Sequence, residues 1–380
     1  MPIPFIRPKP AYLPDHYEEL ADIRDVGVYS NYGPVNTRFE RGLTDQLFGG
    51  VGGCVTVCNA TIGLMLAIRE AVGEAVTGER RYALMPAFTF AATAHAALWA
   101  GLTPLLCDVD EETWLPCAAA EETLLQRYAG RIAVLVPYAT FGNNLDLARY
   151  ESLSRAYDVP VVVDAAASLG SQDEEGRGFG TGCRHAVVYS MHVTKTFATA
   201  EGGVIYCADQ ERLMRLRAMG NFGFGMPRTA TMSGLNAKLS EIGALLALAK
   251  LGEFEQLVER RAALAALYRQ CLPTLEFQRE TGRRRAYQFM PMLLSEAQAP
   301  RRAAFIAALA ARGIGVGHYF SPHLHEQPYF REHCVAGGLA VTDRLSRCAL
   351  SLPIFDDMTP DELGIVCDAV WEQLEGSAPP

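Results

Sequence analysis

The feature that most constrains this 380-residue chain is a series of short segments that are apolar on nearly every residue, set between stretches with helical spacing. The segments are CVTVC (54–58), YALMP (82–86), PLLCD (104–108), IAVLVP (132–137), VPVVVD (159–164), AVVYS (186–190) and GVIYC (203–207). A strand with one wet face alternates apolar and polar residues, whereas a strand covered on both faces of a parallel sheet does not. Between the segments, TIGLMLAIREAV, FAATAHAALWAG, AAAEETLLQRYAG and LDLARYESLSRAYD carry apolar residues three and four apart. That is the spacing of a helix that buries one stripe. The alternation predicts an α/β unit with a mostly parallel central sheet and helices on both faces, over roughly residues 30–250.

The texture then changes. LNAKLSEIGALLALAKLGEFEQLVERRAALAALYRQCL (235–272) predicts a long helical stretch broken near Gly252. Strand-like AYQFMPMLL (286–294), helix-like PRRAAFIAALAARG (300–313), strand-like IGVGHYF (314–320) and a final helix TPDELGIVCDAVWEQLEG (359–376) follow. The expected division is a large α/β domain over 1–250, with an N-terminal arm, and a smaller α+β domain over 251–380.

Composition removes several function classes. With 49% hydrophobic and 20% charged residues the chain is neither disordered nor fibrous. No uninterrupted apolar stretch approaches the ~18 residues of a membrane span. The opening MPIPFIRPKPAYLPD lacks the apolar segment of a signal peptide. Lys+Arg 34 against Asp+Glu 43 gives −9, so no general affinity for nucleic acid or an anionic membrane is expected. Arg283, Arg284 and Arg285 form a local basic cluster. Ten cysteines without a CxxC read as small buried hydrophobes in a reducing, cytoplasmic setting.

Ligand groups in doubly wound sheets project from the carboxyl ends of strands. Three such ends carry unusual residues: Asp164 after VPVVV; Ser190, His192, Thr194 and Lys195 after AVVY; and Asn59, Ala60 and Thr61 at a strand-to-helix turn. Each has a plain alternative. Asn59 can simply cap a helix, Asp164 can meet a core arginine, and Lys195 can be a solvated lysine. Gly202 and Gly203 after the lysine permit close approach of the backbone to a ligand.

Together these residues suit pyridoxal phosphate. Its aldehyde needs an amine for a Schiff base, its phosphate needs amides and hydroxyls, and its ring nitrogen needs a carboxylate to stay protonated. A dinucleotide site fits less well, since GGVGGC (49–54) precedes its strand and no GxGxxG opens a helix. His323 and His325 stand two apart in SPHLHEQ, but no third ligand is suitably spaced, so no metal is expected.

Nine landmarks in order carry a resemblance. They are SNYGPVNTRFE (30–40), NATIGL (59–64), PAFTFAATAHAALWAG (86–101), CDVDEET (107–113), VVVDAAASLG (161–170), SMHVTKTFATAEGG (190–203), GLNAKLSEIGALLALAKL (234–251), HYFSPHLHEQPYF (318–330) and LSLPIFDDMT (350–359). Over nearly its whole length the chain resembles the DegT/DnrJ/StrS sugar aminotransferases, which are fold-type I pyridoxal-phosphate enzymes.

The resemblance implies roles. Lys195 would be the Schiff-base lysine and proton carrier, Asp164 the partner of the pyridinium nitrogen, and Phe90 the aromatic stacked on the ring. Ala60, Thr61 and Ser190 would hold the phosphate. Asn236 would reach the phosphate of a neighbouring subunit, making a homodimer with shared active sites. The plain alternatives are core packing for Phe90 and a helix cap for Asn236. His325 would lie near the substrate opening. The family pattern D-x-A-[HQ] fails at Ala167, whose methyl donates no hydrogen bond to the cofactor's phenolic oxygen, and His192 is a candidate substitute.

The implied activity is transfer of an amino group from glutamate or glutamine to a keto-sugar, commonly nucleotide-linked, or to a keto-cyclitol. Retention of Lys195 argues against the family's dehydratases, in which histidine replaces that lysine. A non-catalytic regulator on the same fold and, more distantly, a nicotinamide-dependent oxidoreductase are the other readings.

Overall fold

Strands buried on both faces need cover on both sides, and the computed structural model shows how this chain supplies it. The structure describes residues 2–73 and 79–375. The strands are β1 (Gly53–Val57), β2 (Tyr82–Pro86), β3 (Thr103–Cys107), β4 (Ile132–Leu135), β5 (Val162–Asp164), β6 (Ala186–Ser190), β7 (Gly203–Cys207), β8 (Glu276–Phe277), β9 (Met290–Leu293), β10 (Val335–Ala336) and β11 (Ala349–Leu352). All seven apolar segments between residues 54 and 207 contain a strand.

The helices are α1 (Tyr17–Val26), α2 (Pro34–Phe48), α3 (Ala60–Val72), α4 (Ala91–Trp99), α5 (Ala118–Arg127), α6 (Leu147–Tyr157), α7 (Gln210–Met219), α8 (Glu241–Cys271), α9 (Arg302–Ala311), α10 (Pro328–His333), α11 (Ala340–Cys348) and α12 (Pro360–Glu375).

Two hydrogen-bonded groups, β1-β7-β6-β5 and β10-β3-β2-β4, form the large sheet. They join where Leu135 bridges Val161 and Tyr138 bridges Asp164, both parallel. Within it, β7 runs antiparallel to β1 and β6, while β5–β6, β2–β3, β2–β4 and β3–β10 are parallel. One face packs under Phe39, Leu43, Phe197 and Phe254, the other under Leu64, Ala67, Ala94 and Ala97. Each large side chain so buried contributes about 1.5–3 kcal/mol. Strand β10, from the carboxy-terminal part, extends the sheet edge beyond β3.

The second sheet, β11-β9-β8, is antiparallel. It packs with Tyr268, Leu309, Leu363 and Val366 in a separate apolar cluster that also takes in Ile3. The first residues therefore join the carboxy-terminal unit: Ile3 exchanges backbone hydrogen bonds with Gly313 and Gly315 at 2.8 Å each.

Three local expectations are corrected. Helix α8 runs unbroken from Glu241 to Cys271 through Gly252, which faces solvent with open space around its α-carbon. An exposed helical glycine costs only about 1 kcal/mol relative to alanine, and the buried stripe around it outweighs that. The segment 235–240 is extended instead of helical, because Leu235 and Ala237 donate to Met219 and Gly220 and the Ala237 carbonyl accepts from Cys58. Ser240 then caps α8 by accepting from Gly243 N–H.

IGVGHYF makes isolated bridges, Ile314 to Ile3 and Gly317 to Ser351, in place of a strand. Phe5 lies over it so closely that a β-carbon at Gly317 would stand 2.5 Å from the Phe5 ring.

Candidate active site

Strands β5 and β6 deliver the central groups because each stops at the same edge of the sheet. Asp164 ends β5 and is 2% exposed. Its Oδ2 accepts from Thr93 Oγ1 at 2.6 Å and its Oδ1 from Ala166 N–H at 3.1 Å. Burial raises the Asp164 pKa, and these two bonds and the charge of Lys195 offset the effect only in part. Thr89 Oγ1 lies 3.0 Å from Thr93 Oγ1, so the start of α4 is tied to the carboxylate by a two-hydroxyl chain.

Lys195 lies in the loop after β6, held by a turn in which its N–H donates to His192 O at 2.8 Å. Its Nζ donates to Gln288 Oε1 at 3.1 Å. Burial pushes the ammonium pKa down to about 8, against the opposing charge of Asp164. A lysine so placed is neutral in a useful fraction near neutral pH, which an amine nucleophile or proton acceptor requires.

A second cluster sits alongside. Helix α3 begins at Ala60, with Asn59 as its cap accepting from Ile62 N–H at 2.9 Å, so the plain reading of Asn59 holds. The first amides of a helix have no partner within it, and the N-terminal dipole favours an anion there. Ser190 is paired in the ladder with Gly203. A β-carbon on Gly203 would stand 2.8 Å from Ala60 N, so this glycine admits the helix start instead of a ligand. Ser190, Ala60 and Thr61 thus share one corner. Ser190 Oγ accepts from His192 N–H at 3.2 Å.

Thr196 Oγ1 and Ser168 Oγ, next to Lys195 and Ala167 in sequence, are buried without a hydrogen-bond partner among the described residues. An amine of lowered pKa, a buried carboxylate, a free helix start and orphaned hydroxyls are the donor set a phosphorylated pyridine aldehyde needs.

Residues 13–371 match the DegT/DnrJ/EryC1/StrS aminotransferase family. The chain belongs to that family. It is 32% identical over 376 residues to Protein Rv3402c of Mycobacterium tuberculosis, covering 97% of this chain and 90% of that protein. A crystal structure from Bacillus cereus, described as a PLP-dependent aminotransferase, superposes with a TM-score of 0.91 at 34% identity, covering 98% of this chain and 100% of that one. DesI, solved in the presence of its TDP-sugar product, gives 0.87 at 29% identity, covering 99% and 95%. The protein is a fold-type I, pyridoxal-phosphate-dependent aminotransferase.

The other expected residues of this DegT-family enzyme fall in different places. Phe90 is the residue before α4 and is 57% exposed, with its ring centroid 6.5 Å from that of Phe320. Core packing therefore does not describe it. Asn236 is exposed and bridges Asn221 in an extended strip, so it caps no helix in its own chain.

His192 Nδ1 lies 2.8 Å from Thr194 Oγ1, and its Nε2 lies 3.7 Å from the Glu201 carboxylate. It is engaged within its own loop. The segment around His325 reaches the end of β2, where Leu324 N–H donates to Ala87 O at 3.3 Å, and His325 Nδ1 is buried without a partner. His323 Nε2 meets Asp343 at 2.8 Å. Among the described residues no group of three or more His, Cys, Asp or Glu side chains could hold a metal ion.

Sequence reading missed Thr93 and Gln288. Both carried a signal: Thr93 and His95 are the polar residues of the apolar run FAATAHAAL, and Gln288 is a polar residue in AYQFMPMLL.

Proposed function

We propose that this aminotransferase moves an amino group from glutamate or glutamine to the keto group of a sugar, nucleotide-linked, in amino-sugar or secondary-metabolite biosynthesis. The observation that carries the reading is Lys195 Nζ, set between Asp164 and Gln288 with its pKa lowered to about 8. The bound cofactor supplies an electron-withdrawing ring that stabilises the negative charge left when a Cα–H bond breaks.

The chain's own residues do the rest. Asp164 holds the ring nitrogen protonated, and the Thr93 hydroxyl and Ala166 N–H orient that carboxylate. Lys195 Nζ, once freed by the donor, would take the proton from the donor's α-carbon and pass it to the cofactor, and would run the same transfer in reverse when the acceptor is aminated. Gln288 steers Nζ. As a polar side chain beside the lysine, it serves where Ala167 cannot, in place of the His192 suggested by sequence. Ala60, Thr61 and Ser190 seat the phosphate, and Phe90 covers the ring.

The sugar acceptor is supported by the family and by the likeness to DesI, whose structure holds a TDP-sugar product. The working unit is a homodimer. Asn236 is exposed in a strip that also exposes Phe222, Met226 (97%) and Ile242, apolar groups suited to cover by a second copy. The chain divides broadly into a 1–250 cofactor domain and a smaller 251–380 domain, although the first residues join the second unit and β10 extends the first sheet. Among the described residues no helix is long and apolar enough to cross a membrane, and a cytoplasmic location fits the ten free cysteines.

The test is a half-reaction. Protein with pyridoxal phosphate should absorb in the visible, lose that band on adding glutamate or glutamine, and recover it with a nucleotide-linked keto-hexose. Lys195→Ala should abolish turnover by at least about a thousandfold. A Lys195→Ala protein with the same band and turnover would sink the assignment. Failure of every keto-sugar to restore the band would sink the acceptor.

A further inference from the structure

Arg285 is 1% exposed, yet among the described residues no carboxylate pairs with it. Its Nε donates to Phe141 O at 2.9 Å, and its guanidinium lies 4.9 Å from the Tyr287 ring centroid. Among the described residues Nη1 and Nη2 have no hydrogen-bond partner. A buried guanidinium with two empty donor nitrogens is costly unless an anion meets it. Burial already pushes its pKa down to about 10, against the pull of Glu280.

Gln278 stands beside it. Its Nε2 donates to Thr113 O at 2.6 Å and Thr140 O at 3.2 Å. Both partners are carbonyls, so the amide cannot be turned round. Its Oε1 is left buried without a donor. The anchors Thr140 and Phe141 are consecutive, which puts the two unsatisfied side chains on one stretch of backbone.

Both line a cavity of about 410 Å³, within the ~300–1,000 Å³ range of small-molecule sites. Around its rim, Arg269 is paired with Glu280, Arg279 with Glu112 and Arg284 with Glu255. Arg283 also lines the cavity, is exposed, and makes no ion pair among the described residues. Neither Lys195, Asp164 nor Gln288 lines this space.

We propose that the cavity is a second anion site, which binds free hydrogenphosphate. Arg285 offers paired donors to two phosphate oxygens, Arg283 adds charge at the mouth, and Gln278 Oε1 accepts from the phosphate's remaining P–OH. Sulfate, which carries no O–H near neutral pH, leaves Gln278 Oε1 unsatisfied. A donor-and-acceptor demand of this kind discriminates strongly between otherwise similar ligands.

The test uses cofactor-saturated protein, with the visible band recorded throughout to show that the cofactor stays in place. Inorganic phosphate, sulfate and glucose 6-phosphate are titrated at constant ionic strength, with thermal midpoint as readout. Phosphate should stabilise saturably and bind at least about tenfold tighter than sulfate. Arg285→Met should abolish the effect, and Arg283→Ala, an exposed change that leaves the fold alone, should weaken it severalfold even where Arg285→Met folds poorly.

Glucose 6-phosphate, a dianion without a P–OH near neutral pH, should bind no better than sulfate, and binding tighter than that of inorganic phosphate would overturn the proposal. Equal effects of phosphate and sulfate, no saturable effect, or a phosphate effect that survives both substitutions would overturn the proposal. None of these readouts depends on which sugar the active site aminates.

Discussion

Among the described residues, two lysines stand within electrostatic reach of a buried aspartate, and the two sites are built to opposite ends. Lys250 is fully buried and donates to Asp356 Oδ2 at 2.8 Å, to Glu253 at 3.1 Å and to Lys9 O at 3.3 Å. Arg261 closes on the other oxygen of Asp356, with Nε at 2.8 Å. Burial alone would raise the Asp356 pKa, but Arg261 and Lys250 outweigh it and bring the carboxylate below its usual value. Lys195 and Asp164 have the same residue types with fewer partners. There burial wins on both, raising the acid and lowering the amine to about 8.

A saturated ion network fixes geometry, and an undersaturated one leaves proton affinities poised for chemistry. The two are connected. Arg261 Nη1 also donates to Tyr287 O at 2.9 Å and Gln288 O at 3.3 Å, so the saturated network holds the backbone that presents Gln288 to Lys195.

The largest test of this contrast breaks the saturated side. Asp356→Ala leaves Lys250 and Arg261 buried without their shared anion and should cost about 3–5 kcal/mol in denaturant unfolding. A loss below 1 kcal/mol would mean the network is dispensable.

Next in size is Thr93→Val, which keeps the shape and removes the 2.6 Å bond to Asp164. Hydrogen bonds to charged groups contribute about 1.5–3 kcal/mol, so the cofactor-free protein should lose stability by up to about that amount, and cofactor affinity should fall as well because Asp164 loses its orienting donor. An unchanged cofactor Kd would remove Thr93 from the site.

The smallest effect is a shift of a midpoint. The rate at which cofactor-free protein takes up pyridoxal phosphate should rise through about pH 8 as Lys195 loses its proton. Asp164→Asn should move that midpoint down, because the carboxylate's charge is what opposes burial; Asp356→Asn should not. A midpoint near 10.5 would show that Lys195 is not desolvated. The same shift has a stability consequence. Between about 8 and 10.5 the unfolded chain holds a proton that the folded chain lacks, so Lys195 makes the cofactor-free protein more stable as pH rises through that window.

What could be read from sequence was whatever depends on neighbours in the chain. The all-apolar runs located β1 to β7, and polar residues at the ends of such runs located Asp164, Ser190 and Lys195. Side-chain periodicity follows from local geometry alone. The errors came where distant segments decide. Gly252 suggested a break that the buried stripe of α8 overrides. IGVGHYF looked like a strand until Phe5 lay across it. Gln288 stood out in sequence as a polar residue in AYQFMPMLL, but its tie to Lys195 at 3.1 Å exists only in the fold.

The Arg283–Arg285 run shows the same division within three residues. Sequence gives three adjacent positive charges and their sign. Only the fold pairs Arg284 with Glu255, leaves Arg283 exposed, and buries Arg285 against Phe141 O with two nitrogens unsatisfied. Charge belongs to the residue type, whereas desolvation and pairing belong to whatever the chain brings from elsewhere. The sequence by itself therefore determined the strands of the sheet and the strand ends at which the lysine and the carboxylate stand. The tertiary structure decided which buried charges are paired and at rest and which are left poised, because that depends on how many donors and acceptors converge in space on a group removed from water.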